Sequence, residues 1–296
     1  MKRNLLLLIS GLVSFSLFAQ EPVYEFDFRH NNPNDVAKLL ILLETGIDGS
    51  MGPAGFLADL NIGAIARYSL HDRIDLQSKT RVSYASFHFD PDYRRNFEIE
   101  FVGANFLRDK TKLKSEQVIV SESERGNTVT TKFFYADLPQ RNAFGYNIGL
   151  NYKTLGINPT EGDYTGEVEN VNFSTLSIIG GLQFKRINAS VLEVKKPRVN
   201  RIFDNYTILT IDAILAPVNT FHDAMSGETV KDELLNKGFT NPYPIGARLT
   251  YHVYGSIPSS DLAKSFRYTI STSIGVRPYL GYHFDIGIGF MLLRMR

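Results

Sequence analysis

Side chains that could serve as a nucleophile and its base occur close together at one place in the sequence. Ser86 and His88 are separated by one residue within an alternating segment, 75–89, and therefore share one face of the strand that this segment predicts. A serine nucleophile needs a base within hydrogen-bond reach and a third group that orients the base. That face of the segment carries no acidic residue. We therefore interpret His88 as a histidine at the rim of a polar belt and predict no catalysis there.

A second group of the same residue types lies near the end of the chain, at Ser271, Ser273, His283 and Asp285. These side chains could be arranged as a triad, but serine, histidine and aspartate are common on any polar surface. The six histidines are scattered, without the His-x-His or His-x-x-x-His spacing of metal sites, and there is no cysteine. We therefore expect no metal, no cofactor and no enzymatic activity.

The segments that carry these residues alternate between apolar and polar side chains. In 266–276 and 280–292 one face is nearly all apolar, and the other is mostly polar or glycine. The pattern recurs clearly in three earlier segments and more weakly in five: 56–70, 144–153 and 245–254, and then 75–89, 96–107, 128–138, 174–187 and 204–216. A period of two indicates β-strands, because helical patterns repeat near 3.6 residues.

These strands predict an all-β fold, a transmembrane antiparallel up-and-down β-barrel of about ten strands over residues 55–296. The apolar face would contact lipid and the polar face would line the lumen. The strands are about twice as long as the 5–6 residues usual in soluble sheets. The alternative is a soluble sandwich of two sheets, which also alternates but turns its apolar faces inward. Twelve strands are an alternative count if residues 20–54 add a hairpin.

Over 55–296 the sequence therefore resembles a Gram-negative outer-membrane β-barrel, without a motif specific to one family. The motifs of the catalytic barrels that deacylate lipid A or cleave phospholipids are not matched. Glycines recur on the polar faces, for example Gly63, Gly145 and Gly287, as a narrow lumen requires. The resemblance implies an outer-membrane location, with membrane lipid and lipopolysaccharide in contact with the wall.

Ionisable residues on the polar faces are predicted to form a charge cluster in the lumen. They are Lys79, Arg81, Glu98, Glu100, Arg248, His252, Arg267, Arg277, His283 and Asp285. A turn at 90–93 would place Arg81 diagonally near Glu100 on the next strand. The cluster could form a constriction that selects solutes or an ion-paired filling. We favour the filling, because open porins use about 16–18 strands and ten leave little free lumen.

The start of the chain has the three parts of a secretory signal. Lys2 and Arg3 precede an apolar stretch, 5–19, which ends in small residues before Gln20 and predicts a signal peptide over 1–19. Without cysteine there is no lipid-modified amino terminus and no disulfide. Removing two of the 32 basic residues leaves 30 against 31 acidic ones, a net charge of −1. This balance lacks the basic surplus of a nucleic-acid-binding protein.

Residues 20–54 are predicted to form a separate segment with one short strand in 23–28 and one helix. The helix would begin at Asn34 or Asp35, end at Gly46 and present Leu39, Leu40 and Leu43 on one face. A flexible glycine lead would follow. We expect this segment to close the floor of the barrel, with a plug or a docking element as the alternative.

Loop lengths orient the predicted barrel. With both termini in the periplasm, three long connections, 108–127, 156–172 and 217–243, fall on the outer side. A short connection, 139–142, falls on the inner side. Residues 116–123 are expected to pair with 127–134 beyond the membrane, and 217–243 carries a helix signal that starts with Thr229 as cap.

The narrow lumen, the long outer loops and the amino-terminal segment lead to one functional hypothesis. The chain would be a non-enzymatic structural or accessory component of a larger outer-membrane assembly, such as a secretion or surface-anchoring machine, with protein partners. One alternative is a small passive channel or transporter for hydrophilic or lipidic solutes. The other is a lipid-modifying enzyme that uses Ser86 and His88.

Overall fold

The computed structural model describes residues 25–31, 38–52, 55–71, 73–86, 96–125, 128–157, 171–195, 199–236, 240, 242–256 and 267–295. Most of them lie in strands: β1 Phe26–Asn31, β2 Leu39–Gly52, β3 Gly55–His71, β4 Ile74–Ser86, β5 Phe97–Arg125, β6 Thr128–Ile157, β7 Val171–Val194, β8 Val199–Asp223, β9 Ile245–Ser256, β10 Arg267–Arg277 and β11 Gly281–Met295. A short helix, α1 (Lys231–Asn236), lies between β8 and β9. Within the described ranges, no helix is long and apolar enough to cross a membrane. The predicted signal peptide, 1–19, falls outside them.

Strands β2 to β11 form one closed antiparallel sheet. Each strand pairs with the next along the chain, and β11 pairs with β2, which closes the ring of ten. Strand β1 lies outside the ring and pairs with the end of β7. Closure satisfies the backbone hydrogen bonds of the wall internally, which a sheet in hydrocarbon requires. The predicted ten-strand up-and-down barrel is confirmed, and the sandwich alternative is wrong.

The outer wall is apolar along the membrane-spanning part of the strands. Outward side chains such as Ile148 (63% exposed) and Phe101 (53% exposed) have no protein cover. Their neighbours along the strands, Asn147 and Glu100, point inward and are buried. A soluble monomer rarely exposes continuous apolar rows of this kind. The wall therefore faces membrane hydrocarbon, as in outer-membrane β-barrels.

The first barrel strand corrects the interpretation of residues 20–54. The helix predicted up to Gly46 is wrong, because residues 39–52 form β2 and pair with both β3 and β11. The alternation of β2 was not visible in the sequence, because the inward-facing Leu40 and Leu42 are as apolar as their outward-facing neighbours. The barrel therefore begins at Leu39 rather than at residue 55. The short strand predicted in 23–28 overlaps β1, and residues 32–37 fall outside the described ranges.

The structure still has the predicted ten barrel strands, because the additional strand β2 is offset by the merging of two predicted strands into one. The predicted strands 128–138 and 144–153 are one continuous strand, β6, so the turn predicted at 139–142 is wrong. Followed outward from the barrel wall, Gln140 is the last residue of β6 that pairs with β7, and Pro139 lies just outside that pairing. Proline is tolerated at such edge positions, because no ladder partner is lost on that side.

The two ends of the barrel differ. The terminal end carries Leu39 and Met295, together with the tips of the β5–β6 and β7–β8 hairpins. The opposite end, called the cap end, carries the connection 224–244 with α1, which confirms the helix signal after Thr229. The predicted grouping of 108–127 with 156–172 and 217–243 is wrong. Strand directions place 108–127 at the terminal end and the other two connections at the cap end.

Strands β5 and β6 are 29 and 30 residues long, although about 9–11 residues span a bilayer. Their outer parts, 108–125 and 128–139, are called the ribbon. The predicted pairing of 116–123 with 127–134 is confirmed, although Glu116 lies opposite Ala136, two residues beyond the predicted range. Among the described residues, β4 accompanies β5 only to Asn105 and β7 accompanies β6 only from Gln140. The ribbon packs on β7 through a small buried core: Val118, Val120, Ala136, Leu138, Leu192 and Val194.

Candidate functional site in the barrel lumen

Most of the residues predicted to form a luminal charge cluster point into the barrel. These are Lys79, Arg81, Glu98, Glu100, Arg248, His252, Arg277, His283 and Asp285. The remaining one, Arg267, is the first residue of β10, and its side chain lies outside the described part of the chain. The inward faces of β4, β5, β9, β10 and β11 supply the cluster, and their side chains meet near the middle of the lumen.

Arg81 lies at the centre of the first ion-paired group. Its Nε donates to Glu44 Oε1 over 2.7 Å, and its Nη1 donates to Asp285. Lys79 Nζ lies 3.4 Å from Asp285 Oδ2, and Ser271 Oγ donates to Glu44 Oε2 over 3.1 Å. Side chains of β2, β4, β10 and β11 are therefore tied together inside the barrel.

Asp48 and Glu98 anchor the second group. Lys153 Nζ binds Asp48 and lies 3.8 Å from Glu98 Oε2. Arg277 Nη2 donates to the other oxygen of Asp48 over 2.6 Å. Asn151 Nδ2 donates to Glu98 Oε1 over 2.8 Å. Both carboxylates therefore have charged and polar partners despite their burial.

Arg248 bridges two carboxylates in the third group. Its Nη1 donates to Glu100 Oε2 over 2.7 Å, while its Nη2 donates to Asp212 Oδ2 over 3.0 Å. Asn147 donates to the other oxygen of Asp212 over 2.8 Å. Asn151 lies 3.3 Å from Glu100 and so connects this group to the second. The guanidinium fork suits such two-sided contacts.

A fourth group lies nearer the terminal end. Asp75 binds Arg67 and accepts a 2.7 Å hydrogen bond from Lys185 Nζ. The Arg67 guanidinium lies 5.3 Å from the ring centroid of Tyr206 and 5.8 Å from that of Tyr254. The cation is therefore stabilised by one carboxylate and by two aromatic faces.

Together the four groups contain equal numbers of cations and carboxylates, seven of each. The cations are Arg67, Lys79, Arg81, Lys153, Lys185, Arg248 and Arg277, and the carboxylates are Glu44, Asp48, Asp75, Glu98, Glu100, Asp212 and Asp285. Every one of these carboxylates contacts at least one cation. Burying a charge without such a partner costs several kcal/mol, of order 3–5, so the balance is what allows the lumen to be filled with charge.

Sequence reasoning missed half of this network. Glu44 and Asp48 were missed because β2 was interpreted as a helix with a glycine lead. Asp75 and Asp212 stand on strands that were recognised, so their alternation was the signal that could have found them. The register confirms the predicted diagonal placement of Arg81 and Glu100, although the two side chains bind other partners, and the turn predicted at 90–93 lies outside the described residues. Arg81 lies opposite Glu98 in the register and reaches across the lumen to β2 and β11, while Glu100 binds Arg248.

Apolar layers close both ends of the charged region. At the cap end, Leu234 of α1 and the preceding Val230 pack on Phe173, Phe221 and Tyr279. At the terminal end, a second layer crosses the lumen: Leu40, Leu42, Ile65, Ile187, Ile208 and the stacked rings of Tyr206 and Tyr254, 4.1 Å apart. Between the layers a cavity of about 80 Å³ is left, enough for several water molecules.

A turn at the cap end holds the connection that carries α1. The backbone N–H groups of Ser226 and Met225 donate to Asp223 Oδ1 over 2.6 Å and 3.0 Å. These hydrogen bonds, chiefly the one from Ser226, hold the pKa of the Asp223 carboxyl below its ordinary value. The turn is therefore stabilised at neutral pH and loses this contribution as the pH falls through the lowered pKa.

Neither candidate catalytic group is assembled as a triad in the described structure. Ser273 Oγ lies 3.4 Å from His283 Nε2, but His283 Nδ1 has no hydrogen-bond partner among the described residues, and Asp285 binds Arg81 and Lys79. His88 and the side chain of Ser86 fall outside the described residues. Within those residues, no cluster of three or more histidine and carboxylate side chains is arranged to hold a metal ion.

Comparison with known proteins gives a fold-level likeness. No protein-family model and no curated protein matches the chain. Among solved structures it is similar to OmpT, an outer membrane protein of Vibrio cholerae folded in vitro, with 9% identity, 90% of this chain and 100% of that chain covered, and a TM-score of 0.18. It is also similar to a mutant of the Rh. blastica porin, with 10% identity, 86% and 99% covered, and a TM-score of 0.16. At these TM-scores, function has to be argued from the residues of this chain.

Proposed function

We propose that this protein is a non-enzymatic structural or accessory component of a larger outer-membrane assembly, such as a secretion or surface-anchoring machine. The observation that carries the proposal is the filled lumen. Charged groups that a channel would present to passing solutes are here bound to one another, and apolar layers lie above and below them. The interior is organised to hold ten strands together rather than to transmit a solute.

The dimensions support the same proposal over a passive channel. Barrels of 16–18 strands leave an aqueous channel, whereas barrels of about eight are filled by their own side chains. The cavity inside this barrel has a volume of about 80 Å³. A path that lets a hydrated sugar or amino acid cross a membrane needs a far larger volume. Steady conductance would require displacement of several buried ion pairs, each of which is costly to break.

The ribbon provides a surface for a protein partner. Residues 108–125 alone extend for about 60 Å at roughly 3.3 Å per residue, well beyond the membrane-spanning part of β5. One face of the ribbon packs on β7, but the other exposes large side chains: Leu113 (72%), Val129 (62%) and Tyr135 (63%). Phe133 packs edge-on against Tyr135 on this exposed face, with ring centroids 5.7 Å apart. Aromatic clusters of this kind are common centres of protein interfaces.

The decisive experiment is affinity purification from detergent-solubilised outer membranes. The unmodified protein is expected to bring a defined set of membrane-assembly proteins with it. The variant Phe133→Ser/Tyr135→Ser should lose them, while Thr130→Ser/Lys132→Ser, two exposed positions on the same strand, should retain them. Equal recovery of partners with both variants would refute the ribbon as the contact surface.

A second measurement addresses the channel alternative directly. The purified protein in planar lipid bilayers should show no steady ion conductance. If it conducts, and if Arg81→Gln and Glu100→Gln alter its conductance or selectivity, then it is a channel and the structural role is wrong.

A further inference from the structure

A groove lies on the outer surface at the terminal end, where the ribbon leaves the wall. Its volume is about 780 Å³, within the range of pockets that bind small ligands. Four side chains from adjacent strands form an apolar row along it: Phe144, Phe184, Leu209 and Tyr251. The rings of Phe144 and Phe184 are 4.7 Å apart. The row belongs to the outward face of the wall and continues the lipid-facing surface.

A bulge in β5 turns a line of cations toward this groove. The inward-facing Phe106 and the outward-facing Arg108 flank one extra residue, Leu107. A bulge of one residue reverses which side chains face outward along the rest of a strand. Beyond it, Arg108, Lys110 and Lys112 line the groove. Without the bulge these three side chains would point to the opposite face of β5.

Apart from Lys185, which binds Asp75 in the lumen, the cations of the groove lack the carboxylate partners that the luminal cations have. Strand β7 adds Arg186, whose Nε donates to Asn142 Oδ1 over 3.4 Å. No carboxylate lines the groove among the described residues. Arg108, Lys110 and Lys112 are exposed and form no ion pair within the described part of the chain. The site therefore combines an apolar floor with a rim of uncompensated positive charge.

We propose that this groove binds an anionic glycerophospholipid of the membrane. Arg108, Lys110 and Arg186 hold the phosphate, and the acyl chains lie along Phe144 and Phe184. Arginine binds phosphate oxygens through paired N–H groups. The apolar row is continuous with the surface that faces hydrocarbon, so one molecule can reach both parts of the site only if it already lies in the bilayer. A soluble anion would use the cations and leave the aromatic row unused.

The position of the groove along the barrel indicates which membrane leaflet supplies the bound lipid. In outer-membrane barrels the short turns are periplasmic and the longer loops extracellular. Three of the four connections at the terminal end have two to four residues, whereas three of the five at the cap end have ten or more. The groove then opens to the periplasmic leaflet, which is composed of glycerophospholipid. Lipid A occupies the opposite leaflet.

The test measures lipid binding by the detergent-purified protein in native mass spectrometry. The probes are phosphatidylglycerol and, as the neutral comparison, phosphatidylcholine. The variant Arg108→Gln/Lys110→Gln/Arg186→Gln is expected to bind phosphatidylglycerol roughly a hundredfold more weakly, because each of the three cations contributes about fivefold to binding. The matched control, Lys114→Gln/Arg125→Gln/Lys132→Gln, removes three exposed ribbon cations outside the groove and should bind like the unmodified protein.

Each other outcome contradicts the proposal. Equal binding of phosphatidylglycerol and phosphatidylcholine would show that charge does not determine binding. Unchanged phosphatidylglycerol binding by the triple variant would show that Arg108, Lys110 and Arg186 do not hold the lipid. Displacement of the lipid by inorganic phosphate or by an acidic peptide at equal concentration would indicate a soluble ligand. Preferential binding of lipid A would place the site in the wrong leaflet. The partner experiment uses Phe133 and Tyr135, so the two proposals can fail separately.

Discussion

The lumen and the ribbon are built by the same pair of strands but are stabilised in opposite ways. Inside the membrane, β5 and β6 turn Glu98, Glu100 and Lys153 toward ion-pair partners on other strands. Outside it, the same strands bury Val118 and Leu138 in a small apolar core. The polar side chains of a strand go inward only where the surroundings are lipid. Where β5 and β6 enter water, the usual arrangement of a soluble sheet returns.

The largest effect is expected from breaking the luminal network at Arg81. Arg81→Ala leaves the buried carboxylates of Glu44 and Asp285 without their main partner, which costs about 3–5 kcal/mol. The free energy of unfolding in detergent or vesicles, from urea titration, measures the loss. Arg125→Ala, an exposed arginine at the tip of the ribbon, is the control and should behave like the unmodified protein.

A combined variant separates charge balance from simple loss of contacts. Arg81→Met/Glu44→Gln removes one cation and one carboxylate together and should recover most of the stability lost in Arg81→Ala, because Asp285 keeps Lys79 as its partner and no isolated charge stays buried. If the double variant is less stable than the single one, charge compensation is not the reason for the network.

The next effect should be confined to the ribbon. Leu192 is fully buried between β7 and the ribbon, and Leu192→Ala should cost about 2–5 kcal/mol at that site. Because the core lies outside the wall, limited proteolysis within 108–139 should accelerate while unfolding of the barrel is unchanged. Equal loss of stability in both regions would mean that ribbon and wall unfold as one unit.

A smaller effect is expected at the cap end. Leu234→Ala removes the one side chain of α1 that is buried, and the loop can relax, so the cost should be near 2 kcal/mol. Planar-bilayer recordings should still show no conductance, because the ion pairs beneath the cap are untouched. Conductance in this variant would show that α1, rather than the charged network, seals the barrel.

The smallest effect is expected for the ion pair that joins β1 to the β7–β8 turn. Lys195 Nζ lies 3.2 Å from Asp27 Oδ2, but both side chains are largely exposed. Such pairs contribute little, because water and salt screen them. Asp27→Asn should leave both proteolysis and unfolding unchanged, and a measurable loss would assign β1 a larger role than its contacts indicate.

The barrel could be predicted from sequence because the lipid-facing rule acts on every second residue. The sequence-based prediction failed where another structural requirement overrode the lipid-facing rule. Leu40 and Leu42 are apolar although they face inward, since they form the layer that closes the terminal end. The bulge at Leu107 reverses the alternation of β5 at the same point where the strand leaves the lipid. Together these two features hid the first strand and made 108–127 look like a loop.

The luminal cluster was predictable by residue but not by partner. Alternation indicates which side chains face inward, and this was enough for Lys79, Arg248 and Asp285. Which cation meets which carboxylate depends on reach across the lumen, and no local pattern encodes it. Arg81 and Glu44 have room to meet because two neighbouring glycines lack side chains: a Cβ at Gly287 would lie 2.8 Å from Glu44 Cδ, and one at Gly63 would lie 2.8 Å from Arg81 Cγ. The glycines of the polar face therefore determine the pairing as much as the charges do.

The seam between β2 and β11 has a consequence for biogenesis. Arg277 and Asp48, which meet across it, are 229 positions apart, and Ser271 and Glu44 are 227 apart. Until β10 and β11 are in place, Glu44 lacks Ser271, Asp48 lacks Arg277 and Arg81 lacks Asp285, so an unclosed sheet would bury charges without all of their partners. The fifteen residues of β11 both close the hydrogen-bonded ring and supply Asp285 to Arg81 and Lys79, so we expect closure of the wall and neutralisation of the interior to occur in the same step.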